Sequence, residues 1–120
     1  MSKVSVSTIG NLGGDPELRY LPDGKPVCNF SMCSNKKLRD GTQKTWLSIS
    51  VYGNQAENCN QYLSKGSKIY IEGELKPNEQ GNPHYYTKGD GTIGTTYNVT
   101  VYYVEFLDSK REFDGEDVPF

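Results

Sequence analysis

At 120 residues the chain is long enough for one domain with a single modest core, and 34% hydrophobic residues with 13 glycines suit short strands and turns rather than a helical bundle. Of its 15 acids, four fall in the tail Glu112 to Phe120, which has no base; residues 1–111 keep the other 11 against all 13 Lys and Arg, so a net of −2 hides a mildly basic body. No apolar stretch approaches a membrane span, and Met1-Ser2-Lys3-Val4 opens no signal-peptide core.

Val4 to Leu12 reads as a first strand, with Gly10 at a bulge or bend, ended by Gly13-Gly14-Asp15-Pro16. Pro22-Asp23-Gly24 is turn chemistry. A second strand runs from Val27 to Ser34, with Cys28, Phe30 and Met32 on an apolar face and Asn29 and Ser31 opposite. Asn35 to Gln43 is expected to be a hairpin connection centred on Asp40-Gly41. It carries Lys36, Lys37 and Arg39, with Lys44 just beyond.

The run Lys44 to Tyr52 organises the rest. Strand side chains alternate, so Leu47, Ile49 and Val51 make a core row while Trp46, Ser48, Ser50 and Tyr52 share the other face. Two rings held apart on an open polar strand form a stacking platform for bases or sugars. Taken alone they fit a cover over the rim of the core or a subunit contact equally well.

Asn54 is placed as the N-cap of a helix over Gln55 to Lys65, with Gly66 as its C′ residue and Ala56, Cys59 and Leu63 as its apolar stripe. Ser67 to Leu75 is a fourth strand, with Ile69, Ile71 and Leu75 facing one way and Tyr70, Glu72 and Glu74 the other. Lys76 to Gly94 reads as a long Gly- and Asn-rich loop containing His84, Tyr85, Tyr86 and Lys88. The fifth strand spans about Thr95 to Leu107. Five strands with a helix between the third and fourth is the order of an OB-fold, a five-stranded Greek-key barrel that is all-β apart from one short helix. The barrel is expected to occupy residues 1–107, and residues 108–120 are expected to form a disordered acidic tail. Trp46, Tyr52, the basic hairpin and the aromatic 4–5 loop all map to the binding face of such a barrel. That convergence points to single-stranded nucleic acid.

Ile9-Gly10-Asn11-Leu12-Gly13, Asp15-Pro16-Glu17-Leu18-Arg19-Tyr20, Trp46 to Gly53, Gln55-Ala56-Glu57, Tyr62 to Ser67 and Tyr70-Ile71-Glu72-Gly73 together resemble the bacterial single-stranded DNA-binding protein family. The ending Asp114 to Phe120 resembles that family's acidic tip. The resemblance implies a homotetramer of OB-folds with DNA wound over aromatic and basic surfaces, working at a bacterial nucleoid or in a phage-infected cell. Trp46 and Tyr52 fall on two of the family's stacking positions. Two others depart from the pattern: Leu38 stands where a hairpin Trp is common, and Gln80 where the 4–5 loop has an aromatic. Tyr85 or Tyr86 is expected to compensate. Arg19, Lys36, Lys37, Arg39, Lys44, Lys76 and Lys88 are the expected phosphate partners. The usual long linker before the tip is nearly absent here.

No catalytic constellation assembles. His84 is the only histidine, and Cys28 and Cys33 point to opposite faces of one strand, so neither an enzyme nor a metal or other cofactor is expected. Three unevenly spaced cysteines make no disulfide framework and suit a reducing cytoplasm. Gly89-Asp90-Gly91 is turn chemistry rather than a calcium loop. The tip residues Asp114, Glu116, Asp117, Val118, Pro119 and Phe120 put an apolar ring and a free carboxylate behind acids. This suits a partner pocket with an apolar floor and a basic rim, and the resemblance implies DNA replication and repair proteins as the partners. A second reading stays open: an OB adaptor acting mainly in protein assembly, with weak DNA binding.

Overall fold

The computed structural model describes residues 2–107. Seven strands and one helix follow in the order β1 (Ser5–Leu12), β2 (Glu17–Tyr20), β3 (Pro26–Leu38), β4 (Gly41–Tyr52), α1 (Asn54–Tyr62), β5 (Lys68–Leu75), β6 (His84–Thr87) and β7 (Ile93–Phe106). The acidic tip expected at residues 114–120 lies outside the described residues.

Five strands close a barrel in the order β1-β5-β7-β4-β3, and β3 returns to β1 through Asn11↔Cys33 and Leu12↔Met32. β4 and β7 run parallel, while the other closing pairs are antiparallel. This is the OB-fold expected from the element order. Alternation fills its interior with Cys28, Phe30 and Met32 from β3, Leu47, Ile49 and Val51 from β4, Ile69 and Ile71 from β5, and Val99 and Val101 from β7. Ala56, Cys59 and Leu63 bring the helix onto this core. Burial disfavours the thiolate, pushing Cys28 up to about 11 and Cys59 to about 12, the latter helped by its nearness to Cys28.

The structure corrects several boundaries. β2 and β6 are strands beyond the expected five, paired to β3 and β7 respectively. The basic connection is no loop: β3 and β4 stay paired out to Leu38↔Gly41, leaving only Arg39 and Asp40 to turn. The long 76–94 segment likewise folds back as a β6–β7 hairpin, with Tyr86 opposite Gly94. At its tip Asp90 Oδ1 accepts from Thr92 N at 3.0 Å and Thr92 Oγ1 at 2.7 Å, which lowers the Asp90 carboxyl from its usual value. Gly89-Asp90-Gly91 is thus turn chemistry, as expected.

The helix starts one residue early and ends three residues early. Gly53, at φ 79°, takes the N-cap position with no side-chain cap, and Asn54 is already helical. Leu63 leaves the helix in extended conformation, which turns its side chain into the core. Gly66 sits instead in a turn, where its N–H donates to Leu12 O and the neighbouring Lys65 N–H donates to Asp15 Oδ1. At the other end of the molecule β7 outruns β4, and Gln55 fills in for the missing strand. Its Nε2 donates to Tyr102 O at 2.9 Å and its Oε1 accepts from Val104 N at 3.1 Å.

Gly10 marks a close approach rather than a bulge. It pairs with Ile69 inside a continuous β1, and a Cβ there would collide with the Cys33 carbonyl where β1 crosses from β5 to β3. The register shift falls elsewhere, between Glu72 and Gly73 against β7. Gly10→Ala is therefore expected to cost about 1–3 kcal/mol, the range for overpacking a closed core. Urea unfolding measures it, and an unchanged midpoint would show that the closure tolerates a side chain.

Candidate nucleic-acid interface

The β3–β4 ladder pairs Val27↔Tyr52, Asn29↔Ser50, Ser31↔Ser48, Cys33↔Trp46 and Asn35↔Lys44 on the outer face. The parallel register adds Asn98 beside Ser48 and Thr100 beside Ser50, while β2 adds Glu17 beside Asn29 and Arg19 beside Val27. Four strands thus share one outward surface, with a polar floor between two rings. Hydrogen bonds stitch that floor together. Asn29 Nδ2 donates to Ser50 Oγ at 2.8 Å, Arg19 Nε donates to Asn29 Oδ1 at 3.3 Å, and the Ser48 and Thr96 hydroxyls lie 3.1 Å apart.

Both rings face solvent as alternation requires: Trp46 is 50% exposed and Tyr52 41%. Trp46 lies down on Gly13, where an added Cβ would stand 2.5 Å from indole Cζ3. Tyr86 finds a similar seat. A Cβ on Gly94 would meet the Tyr86 ring at 2.7 Å and the Lys88 stem at 2.8 Å, so ring and stem both cover bare backbone. Trp46 and Tyr86 line one cleft of about 390 Å³ together with Ser31, Ser48 and Thr96. A second cleft, of about 550 Å³, continues over Asn29, Ser50 and Asn98 and is rimmed by Asp15 and Glu17. Of the two loop tyrosines, Tyr86 joins the indole. Tyr85 alternates to the other side of β6 and is 69% exposed.

The cations divide in the same way. Lys37 and Lys44 share the alternation of Asn35 and Trp46, hence the groove side of the β3–β4 ribbon. Lys36 and Leu38 fall on its opposite side, and Arg39 sits in the turn. Arg19 is engaged with Asn29 in the floor, and Lys88 lies beside Tyr86. Lys76 is drawn to Glu74 at 3.5 Å and lines a separate cleft of about 70 Å³. The imidazole of His84 lies 3.0 Å from the Lys76 carbonyl, where it ties the loop to the hairpin. Among the described residues, no three of His, Cys, Asp and Glu gather as metal ligands, and no helix is long and apolar enough to cross a membrane.

Sequence reasoning missed the β7 contribution, Thr96 and Asn98, because a parallel register carries no local signal. It also missed the glycine seats at Gly13 and Gly94 and the carboxylate at Glu17. Period-two alternation from Arg19 places Glu17 on the same face, which was the available clue.

A closed Greek-key barrel with aromatic rings and lysines converging on the β3–β4 face and its adjoining hairpins has the layout of an oligonucleotide-binding OB-fold. The model of the Single-strand binding protein family matches residues 1–107, and the chain belongs to that family. Two curated relatives, each named a single-stranded DNA-binding protein, come from Neisseria meningitidis serogroup A and serogroup B. Each is 34% identical to this chain over 96% of its length. The chain spans 66% of the length of these relatives.

Proposed function

We propose that this chain binds and protects single-stranded DNA without strong sequence preference, as a non-enzymatic protein of replication, recombination and repair in the bacterial cytoplasm. The observation that carries this reading is the half-exposed pair Trp46 and Tyr86 in one cleft, with Tyr52 at the far end of a polar floor and Lys37, Lys44 and Lys88 alongside. Stacking on such rings tolerates any base, and the lysines supply phosphate attraction that weakens with salt. Family membership and the names of the Neisseria relatives support the same reading. Because Trp46 is the only tryptophan, oligo-dT is expected to quench the protein's fluorescence, with a log–log salt slope of about −0.7 per neutralised phosphate. Tyr86→Ala is expected to weaken binding by about 1–3 kcal/mol and Tyr85→Ala far less. An unquenched indole, with no binding by anisotropy, would leave the adaptor reading in possession.

The proposed assembly is a homotetramer that uses the outer face of β1, β5 and β7. There Ile9 is exposed, and the Tyr70 and Tyr103 rings pack edge-on at 6.3 Å. The Tyr70 hydroxyl donates to Glu72 Oε2 at 2.6 Å and that of Tyr103 to Glu105 Oε1 at 3.2 Å. Tyr70 is raised above the ordinary phenol range first by its hydrogen bond to Glu72, and Tyr103 first by the charge of Glu105. Phenols already satisfied by their own chain's carboxylates make this face cheaper to desolvate. Sedimentation equilibrium is expected to give four chains; a monomer at micromolar concentration would remove this part of the reading.

The tip Asp114 to Phe120 is proposed to recruit replication and repair proteins. A peptide of those seven residues is expected to compete with the full chain for such a partner. Equal partner binding by a chain lacking residues 112–120 would exclude the tip as the contact.

A further inference from the structure

Gly94 has neither of the usual reasons to be glycine. Its φ lies outside the left-handed region that Gly53 and Gly91 adopt. Nor is backbone the nearest obstacle to a side chain, as it is at Gly10 and Gly73, where an added Cβ would first meet a carbonyl oxygen. At Gly94 the three nearest atoms are Tyr86 Cζ at 2.7 Å, Lys88 Cε at 2.8 Å and Tyr86 Oη at 2.8 Å, all far ends of flexible side chains. Gly13 is of the same kind, with Trp46 Cζ3 nearest. The two glycines whose space is taken by ring atoms thus serve the two rings of one cleft.

Gly94 stands directly opposite Tyr86 in the β6–β7 ladder, and alternation puts it on the side of Thr96 and Asn98, the β7 share of the groove floor. In an ordinary cross-strand pair the two Cβ atoms lie about 4.5–5.5 Å apart and both side chains stand up from the sheet. With a hydrogen in place of one of them, the phenol lies down across the neighbouring strand. It covers the buried Gly94 and stays 50% exposed itself. The hairpin that carries the pair is held at its base by His84 against the Lys76 carbonyl and at its tip by Asp90 and Thr92. With the backbone fixed at both ends, the room beneath the ring sets its tilt.

We infer that Gly94 is a positioning residue for base stacking: it lets the Tyr86 ring lie flat against the hairpin, so that a base lands on its open face. The inference rests on the single-strand reading above and adds to it a residue that acts only through the ring covering it. A methyl group at this position lifts the ring into the 390 Å³ cleft. That removes a stacking face and narrows the space beside Trp46.

The test is a double-mutant cycle on the full chain with oligo-dT, read by anisotropy and by Trp46 quenching. Gly94→Ala is expected to weaken binding about five- to tenfold, the lower end of what one stacked base is worth. In a Tyr86→Ala background the same substitution is expected to change affinity by less than about twofold, because the ring it displaces is gone. The Lys88 stem also borders the added methyl, so salt dependence separates ring from charge. An unchanged log–log slope assigns the loss to the ring; a slope shallower by about 0.7 assigns it to Lys88 and overturns the inference. Because the colliding atoms are side-chain ends, the urea midpoint is expected to stay at the native value. A loss of equal size in both backgrounds, or a lowered midpoint that Tyr86→Ala does not restore, marks a role in folding the hairpin and overturns the inference as well. Undiminished binding by Gly94→Ala overturns it with the single-strand reading intact, and no binding by the native chain overturns both.

Discussion

The β3–β4 ladder holds one register from Val27↔Tyr52 to Leu38↔Gly41, and the candidate interface hangs on it. Within the barrel that register sends Leu47, Ile49 and Val51 inward and leaves Trp46 and Tyr52 half exposed. A slip by one residue would bury serines and an indole while exposing the core row, so the register is enforced by the hydrophobic effect itself. Beyond the barrel wall the same ladder runs on as a two-stranded ribbon. There alternation no longer separates core from solvent; it separates the cations beside the groove from those behind it.

What was readable in the sequence follows from this. Strands with one buried face announce themselves by period two, and the rows Cys28-Phe30-Met32 and Leu47-Ile49-Val51 were legible for that reason. β2 and β6 were not. Each is four residues long and mostly exposed, with no apolar row to betray it. The helix stripe was legible, but its end was not, because Leu63 serves the core equally well as a helical or an extended residue. Trp46 and Tyr52 could be placed by counting along one strand. Tyr86 could not, since choosing it over Tyr85 depends on where the hairpin turns, and that is decided by Asp90 and Thr92 at the tip and by the room Gly94 leaves for a ring.

Glycines at the interface work by leaving space rather than by adopting unusual dihedral angles. Gly13 and Gly94 lie on different strands or loops, yet each leaves bare backbone on which an aromatic side chain rests. The rings are thereby fixed from beneath while their upper faces stay open. Rings held in this way would lose little side-chain entropy in the stacking proposed for them.

Gln55 carries a consequence of a different kind. Where β7 extends past β4, its outer backbone groups would form a free sheet edge, an invitation for another chain to add a strand. One amide side chain from the helix occupies both an N–H and a C=O of that edge. Strand addition at that margin is blocked by a plug of the protein's own making.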